Sequence, residues 1–140
     1  MKIYVASKLE NIEAVREFVR LLRAEGHEIT YDWSVHGPMW RHGKEAVREV
    51  SKREMDGVAD CEVLIALLPG GRGTHAEIGG ALALDKKVIL HSKTLEAHFG
   101  IHEDACAFYH HPNVVGYSRA SLDDLAMNFE RWLDTVAEKI

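Results

Sequence analysis

Leu68-Pro69-Gly70-Gly71-Arg72-Gly73-Thr74-His75-Ala76-Glu77 lies between the apolar run Val63-Leu64-Ile65-Ala66-Leu67 and the apolar-periodic segment Ile78 to Leu84. Strand, glycine turn and helix start, in that order, aim free backbone N–H groups and a positive helix end at a bound anion. Glu77 adds a carboxylate, read here as lying in the first turn of that helix. An anion cradle beside a carboxylate points to chemistry on a sugar phosphate or a nucleoside.

Working outward, strands and helices alternate. Ile3 to Ala6 reads as a first strand, and Ile12, Val15, Val19 and Leu22 recur at helical spacing until Gly26 stops the helix. His27 to Tyr31 reads as a second strand, 33–43 as an irregular segment, and Lys44 to Ala59 as a helix. The 62–68 run is the third strand, continuously apolar as a strand covered on both faces should be. After the glycine loop and its helix come a strand at Lys87–His91, a polar stretch at 92–106 and a short strand at Asn113–Tyr117. A last helix is expected over Ser121–Ile140, with Leu122, Leu125, Phe129, Leu133 and Val136 inward and its start signal at Ser121–Asp124. The alternation predicts an α/β fold, a doubly wound parallel five-stranded sheet with helices on both faces. In such sheets ligands bind beyond the carboxyl ends of the strands. Ser7-Lys8, Asp32-Trp33, the 69–77 loop and the residues after His91 are expected to converge there.

Length and composition set bounds. At 140 residues the chain is expected to form a single domain, 1–140, with a substantial core. A net charge of −5 argues against nucleic acid as the main partner, though not against a small phosphate ligand. Cys61 and Cys106 form no motif and read as reduced thiols of a cytoplasmic protein. The chain opens directly on a strand, so no signal peptide is read, and no apolar run is long enough to span a membrane.

Glu77 has two readings. Thr74-His75-Ala76-Glu77 fits a capping box, in which the Thr and Glu side chains satisfy each other's backbone donors. Alternatively Glu77 is a nucleophile, kept ionised by the helix dipole at the ligand edge of the sheet. Glycosidic chemistry commonly needs a second carboxyl group. On the helix at 44–59, Val47, Val50, Glu54 and Val58 share one face, whereas Asp56 points nearly opposite. Glu54 then sits on the inward stripe, where desolvation raises its pKa as suits a general acid; a frayed helix end would instead expose it. Trp33 follows a strand and reads either as a base-stacking residue or as a lid residue packed on the core. Trp132 reads as core or subunit interface.

Other sites fit less well. Gly71-Arg72-Gly73-Thr74-His75-Ala76 fits the loose dinucleotide fingerprint but follows the third strand, and the next strand ends in Leu90-His91 without an acid. The Lys-Ser/Thr pair of a P-loop is missing, and the central strand ends in Leu67-Leu68-Pro69 rather than the Asp of a receiver domain. Ser7-Lys8-Leu9-Glu10 lacks the hydroxyl-rich turn of a flavin site. Cys106, His110 and His111 are the only His/Cys cluster, and solvated loop histidines are the better reading than metal.

The chain resembles the nucleoside 2-deoxyribosyltransferase-like superfamily, which includes the 2′-deoxynucleoside 5′-monophosphate N-hydrolases. The resemblance rests on Lys2-Ile3-Tyr4-Val5-Ala6-Ser7, Gly26-His27-Glu28-Ile29-Thr30, Cys61-Glu62-Val63-Leu64-Ile65-Ala66-Leu67 and, most specifically, Gly73-Thr74-His75-Ala76-Glu77-Ile78-Gly79-Gly80-Ala81-Leu82-Ala83-Leu84. It implies a flavodoxin-like fold, a glycosyl ester on Glu77, Tyr4 near that nucleophile, and Glu54 where the family usually has Asp. It also implies a homo-oligomer, dimer or tetramer. Two features depart from the pattern. The hydrolases' loop Ser is Gly71 here, and the Asn and Met that transferases donate across a dimer interface have only Asn113 as a loose match. Pro69 to Glu77 also matches the P-G-G-x-G-T-x-x-E motif of the cytokinin-activating phosphoribohydrolase family, which acts on the same kind of bond.

These readings predict an enzyme cleaving or transferring across the N-glycosidic bond of a nucleoside, a 2′-deoxynucleoside or its 5′-monophosphate. Glu77 and Glu54 are the expected catalytic pair. Tyr4, Ser7, Trp33, Gly71, Arg72, Gly73 and Thr74 are the expected substrate contacts. No metal or organic cofactor is implied. The rival is a nucleotide-sensing module without turnover, in which Glu77 is only a helix cap.

Overall fold

In the computed structural model, residues 1–94, 99–103 and 105–135 are described. Five parallel strands form one sheet in the order β2-β1-β3-β4-β5. They are β1 (Lys2–Ser7), β2 (Glu28–Ile29), β3 (Val63–Leu67), β4 (Lys87–His91) and β5 (Val114–Ser118). This is the flavodoxin-like order of a doubly wound sheet, whose direction of winding reverses between β1 and β3. The central strand β3 is buried along its whole length, which explains its unbroken apolar sequence.

Helices cover both faces. Helix α1 (Ile12–Ala24) buries Val15, Phe18, Val19 and Leu22 and packs beside α4 (Leu122–Asn128). On the other face α2 (Lys44–Asp60) packs beside α3 (Arg72–Ala83). The core thus sits on both sides of β1, β3 and β4, and includes Tyr4, Leu64, Ile65, Ile78, Ile89 and Phe129. Two cysteines are free, and burial pushes the Cys61 thiol up to about 11. Among the described residues no helix is long and apolar enough to cross a membrane.

Three expectations change in detail. The second strand pairs over only Glu28–Ile29; beyond it Thr30 N–H still bonds Ile3 O at 3.0 Å, so the segment continues as an irregular edge. The last helix is interrupted at Phe129 and resumes as α5 (Glu130–Thr135). There Trp132 N–H reaches back three residues to Phe129 O, a tighter turn, while the Asn128 side chain takes the Asp124 carbonyl at 2.9 Å. Trp132 is partly buried against the core, and Val136 lies outside the described residues.

Helix α2 is less deeply seated than its sequence pattern implies. Val58 is buried and Val50 and Glu54 are half-buried, but Val47 is 41% exposed. Only the C-terminal half of the stripe reaches the sheet. Gly57 allows this approach: a Cβ there would sit 2.8 Å from Tyr31 Cβ and 3.2 Å from the Tyr4 ring. Asp56 is exposed and pairs with Lys52 at 3.0 Å.

Candidate active site

A cleft of about 400 Å³ opens at the carboxyl ends of β1 and β3, where the winding reverses. Its floor and walls include Ser7, Trp33, Glu54, the loop Gly71–Thr74 and Glu77. Tyr4 is fully buried beneath, on β1. Of the four segments expected to converge, three do so. The residues after His91 instead line a separate groove of about 660 Å³, together with Leu68, Pro69 and Ser121.

The start of α3 differs from the capping-box reading. The helix begins at Arg72 with Gly71 as its N-cap, and Thr74 is the third helical residue. The Thr74 hydroxyl accepts from Gly71 N–H at 3.1 Å. Glu77 therefore falls in the second turn and points to the sheet rather than to the helix end. Gly70 makes this turn possible, because a Cβ there would lie 2.6 Å from Thr74 Cγ2. The N–H groups of Arg72, Gly73 and Thr74 have no acceptor within the helix and stand at the cleft wall.

Glu77 is 7% exposed. The Tyr4 phenol donates a hydrogen bond to its Oε2. Glu54, on the neighbouring α2, lines the same cleft, and the two carboxyls interact strongly enough to titrate together. Two carboxyls this close share a proton, since both cannot ionise cheaply in a buried place. Burial is the main cause that pushes Glu77 up to about 8, opposed by the Tyr4 hydrogen bond and reinforced by the charge of Glu54. The expectation that the helix dipole alone keeps Glu77 ionised thus fails, because Glu77 lies beyond the first turn and desolvation outweighs the dipole. Glu54 is raised too, mainly by burial, while His36 and the bond to Glu77 draw it back. Burial and the charge of Glu77 hold the Tyr4 phenol protonated.

The remaining residues shape the cavity. Ser7 Oγ donates to Leu67 O at 2.6 Å and accepts from Asn11 Nδ2 at 3.0 Å, tying the ends of β1 and β3 together. Trp33 is buried, and its indole N–H donates to Val5 O at 2.9 Å, so it is core-packed and also walls the cleft. Asp32 fixes it there by accepting from Ser34 N–H at 3.1 Å. Arg72 is exposed at the rim. His36 was not foreseen as a site residue. It lines the cleft with its Nε2 2.8 Å from the Tyr31 hydroxyl and its Nδ1 2.7 Å from Gly37 O. Its only signal in the sequence is its place in an irregular segment just after Trp33. Asn113 lies at the opposite end of the sheet, before β5, bonded to Asp85 at 2.8 Å, and is no part of this cleft. Among the described residues no group of three His, Cys, Asp or Glu side chains is placed to hold a metal ion.

The fold has counterparts among known proteins. No curated protein matches the chain significantly in sequence. The 2-deoxyribosyltransferase of Bacillus psychrosaccharolyticus has a similar fold, with a TM-score of 0.70 and 20% identity over 94% of this chain and 96% of that one. The CMP N-glycosidase BcmB of Clostridium botulinum matches at a TM-score of 0.49 and 24% identity, over 65% of this chain and 67% of that one. The family model described as nucleoside 2-deoxyribosyltransferase matches residues 3–127, spanning every strand and the whole cleft. The chain therefore belongs to the nucleoside 2-deoxyribosyltransferase family, enzymes of the N-glycosidic bond.

Proposed function

We propose that this enzyme cleaves or transfers across the N-glycosidic bond of a nucleoside, a 2′-deoxynucleoside or its 5′-monophosphate through a glycosyl ester on Glu77. The observation that carries this reading is the carboxyl pair: Glu77 and Glu54 share one cleft, and Glu77 is hydrogen-bonded to the Tyr4 phenol beneath. In the free enzyme burial outweighs the Tyr4 bond and the shared proton rests on Glu77; the phenol favours the ionised form and so eases passage of that proton to Glu54 when the sugar enters. One group is then a nucleophile and the other an acid, as the chemistry needs.

Glu77 Oε attacks the anomeric carbon while the C1′–N bond breaks, and its electron pair leaves with the base. Glu54 delivers its proton to the departing ring nitrogen. The ester is then opened at the same carbon by water or by a second base, whose proton returns to Glu54. Two displacements retain configuration. Retaining glycosidases hold their carboxyls about 5 Å apart, so the Glu54 side chain must withdraw from Glu77 to admit the sugar. The open amides of Arg72, Gly73 and Thr74, with Arg72 at the rim, receive the 5′ end. Trp33 walls the base side.

Chromatography of reactions with a panel of nucleosides and 5′-monophosphates, with and without an acceptor base, tests this. Base release that requires Glu77 supports it. Ligand-induced thermal stabilisation without base release from any substrate would overturn it in favour of a binding module.

A further inference from the structure

The loop that receives the 5′ end is braced from outside the cleft. His75, half-buried in the first turn of α3, places Nδ1 2.7 Å from Gly71 O. A carbonyl only accepts, so Nδ1 carries the ring proton. Nε2 is left with a lone pair, and the Tyr109 hydroxyl, 2.7 Å away, donates to it. The two rings stack with centroids 5.7 Å apart and planes 23° apart. Tyr109 is 4% exposed. Its own carbonyl accepts from the Tyr117 hydroxyl of β5 at 2.6 Å, and Phe99 packs edge-on to its ring. A continuous line of bonds therefore runs from β5 through Tyr109 and His75 to the N-cap of α3.

This line ends on one peptide group. Gly71 O accepts from both the backbone N–H and the Nδ1–H of His75, at 3.1 and 2.7 Å. In a trans peptide the C=O and the following N–H point in opposite directions. Holding the Gly71 carbonyl against the helix thus turns the Arg72 N–H toward the cleft that Gly71 and Arg72 line. We infer that His75 and Tyr109 are positioning residues for the 5′ end of the substrate, locking the Gly71–Arg72 peptide so that its N–H meets the 5′ substituent. The inference rests on the proposed reading of the loop as the 5′ subsite, and neither side chain touches the reacting atoms.

The test compares wild type with Tyr109→Phe, His75→Ala and His75→Asn on two substrate sets: the natural 2′-deoxynucleoside 5′-monophosphates and the matching 2′,5′-dideoxynucleosides. Tyr109→Phe and His75→Ala should raise KM for the monophosphates about tenfold with kcat within about twofold, and leave kcat/KM for the 5′-deoxy compounds unchanged. His75→Asn should recover most of the loss relative to His75→Ala, because the Asn amide still donates to Gly71 O. Equal losses on both substrate sets, a fall in kcat at constant KM, or no effect would each overturn the inference. Equilibrium titration with the same ligands separates it from the reaction itself. If wild type releases no base, the reaction reading falls. The brace then stands if Tyr109→Phe weakens monophosphate binding alone, and falls if both ligands weaken equally or neither does.

Discussion

Tyr4 on β1 and Glu77 on α3 are 73 residues apart in sequence, and the phenol of the first donates its proton to the carboxylate of the second. This bond eases ionisation of Glu77 against the burial that pushes its pKa up. Without it, Glu77 would hold its proton more tightly still and, in the proposed reaction, attack less readily. Tyr4→Phe should therefore lower kcat about 100-fold and move the acidic limb of kcat/KM to higher pH, because losing the bond raises the Glu77 pKa. A pH–rate profile checks both. An unshifted limb would remove Tyr4 from the control of ionisation.

Glu77→Gln should abolish base release by at least about 1000-fold while circular dichroism shows an intact fold. Retention of more than a few per cent of activity would exclude Glu77 as the nucleophile.

The same substitution should change the pH dependence of stability. Glu77 has a folded-state pKa raised to about 8 from 4.5, mainly by burial. Between these values the folded state keeps a proton that the unfolded state has lost, so unfolding releases a proton and stability falls as pH rises. Below the lower value the difference vanishes. The Tm of Glu77→Gln should thus gain on that of wild type as pH increases from 5 to 8, by about 4 °C for each kcal/mol of relieved charge burial. Calorimetry across that range reads it, and parallel curves would refute it.

Glu54→Gln should separate departure of the base from attack by Glu77. With natural bases kcat should fall about 100- to 1000-fold. A deoxyriboside whose leaving group needs no proton should react within about tenfold of the wild-type rate. Equal losses on both substrates would deny Glu54 the role of acid.

Gly70→Ala tests the turn that sets the start of α3. The added Cβ would meet Thr74 Cγ2 at 2.6 Å, costing about 1–3 kcal/mol and tilting the loop out of place. Both a lower Tm and a higher KM are expected from denaturation scans and steady-state kinetics. A normal KM would show that the loop tolerates displacement.

The strands were legible because burial on both faces leaves little but Val, Ile, Leu and Ala in β3 and β4, and no polar spacing competes with that pattern. Glu54 was legible as an acid on an apolar helical stripe. The start of α3 was not. Thr74 and Glu77 have capping-box spacing, but the close approach of Gly70 to Thr74 lets the helix begin three residues earlier, with Gly71 as its cap. That contact exists only once the turn has folded. His36 escaped notice for a similar reason. Its segment has no periodicity, and its place in the cleft depends on bonds to Tyr31 and to the Gly37 backbone. The interruption at Phe129 coincides with a side-chain amide bonded to a helix carbonyl, a contact that apolar spacing does not register.

Arg72 and Glu77 belong to one uninterrupted helix, so about 7.5 Å of rigid rise separates the proposed anchoring end from the backbone of the proposed nucleophile. In the proposed reaction that fixed span would act as a gauge for the sugar. A pentose held by its terminal oxygen presents its anomeric centre at the right depth, whereas a longer or branched glycoside would overshoot it. On that proposal, discrimination by ring size would follow from a secondary-structure element with no dedicated steric gate.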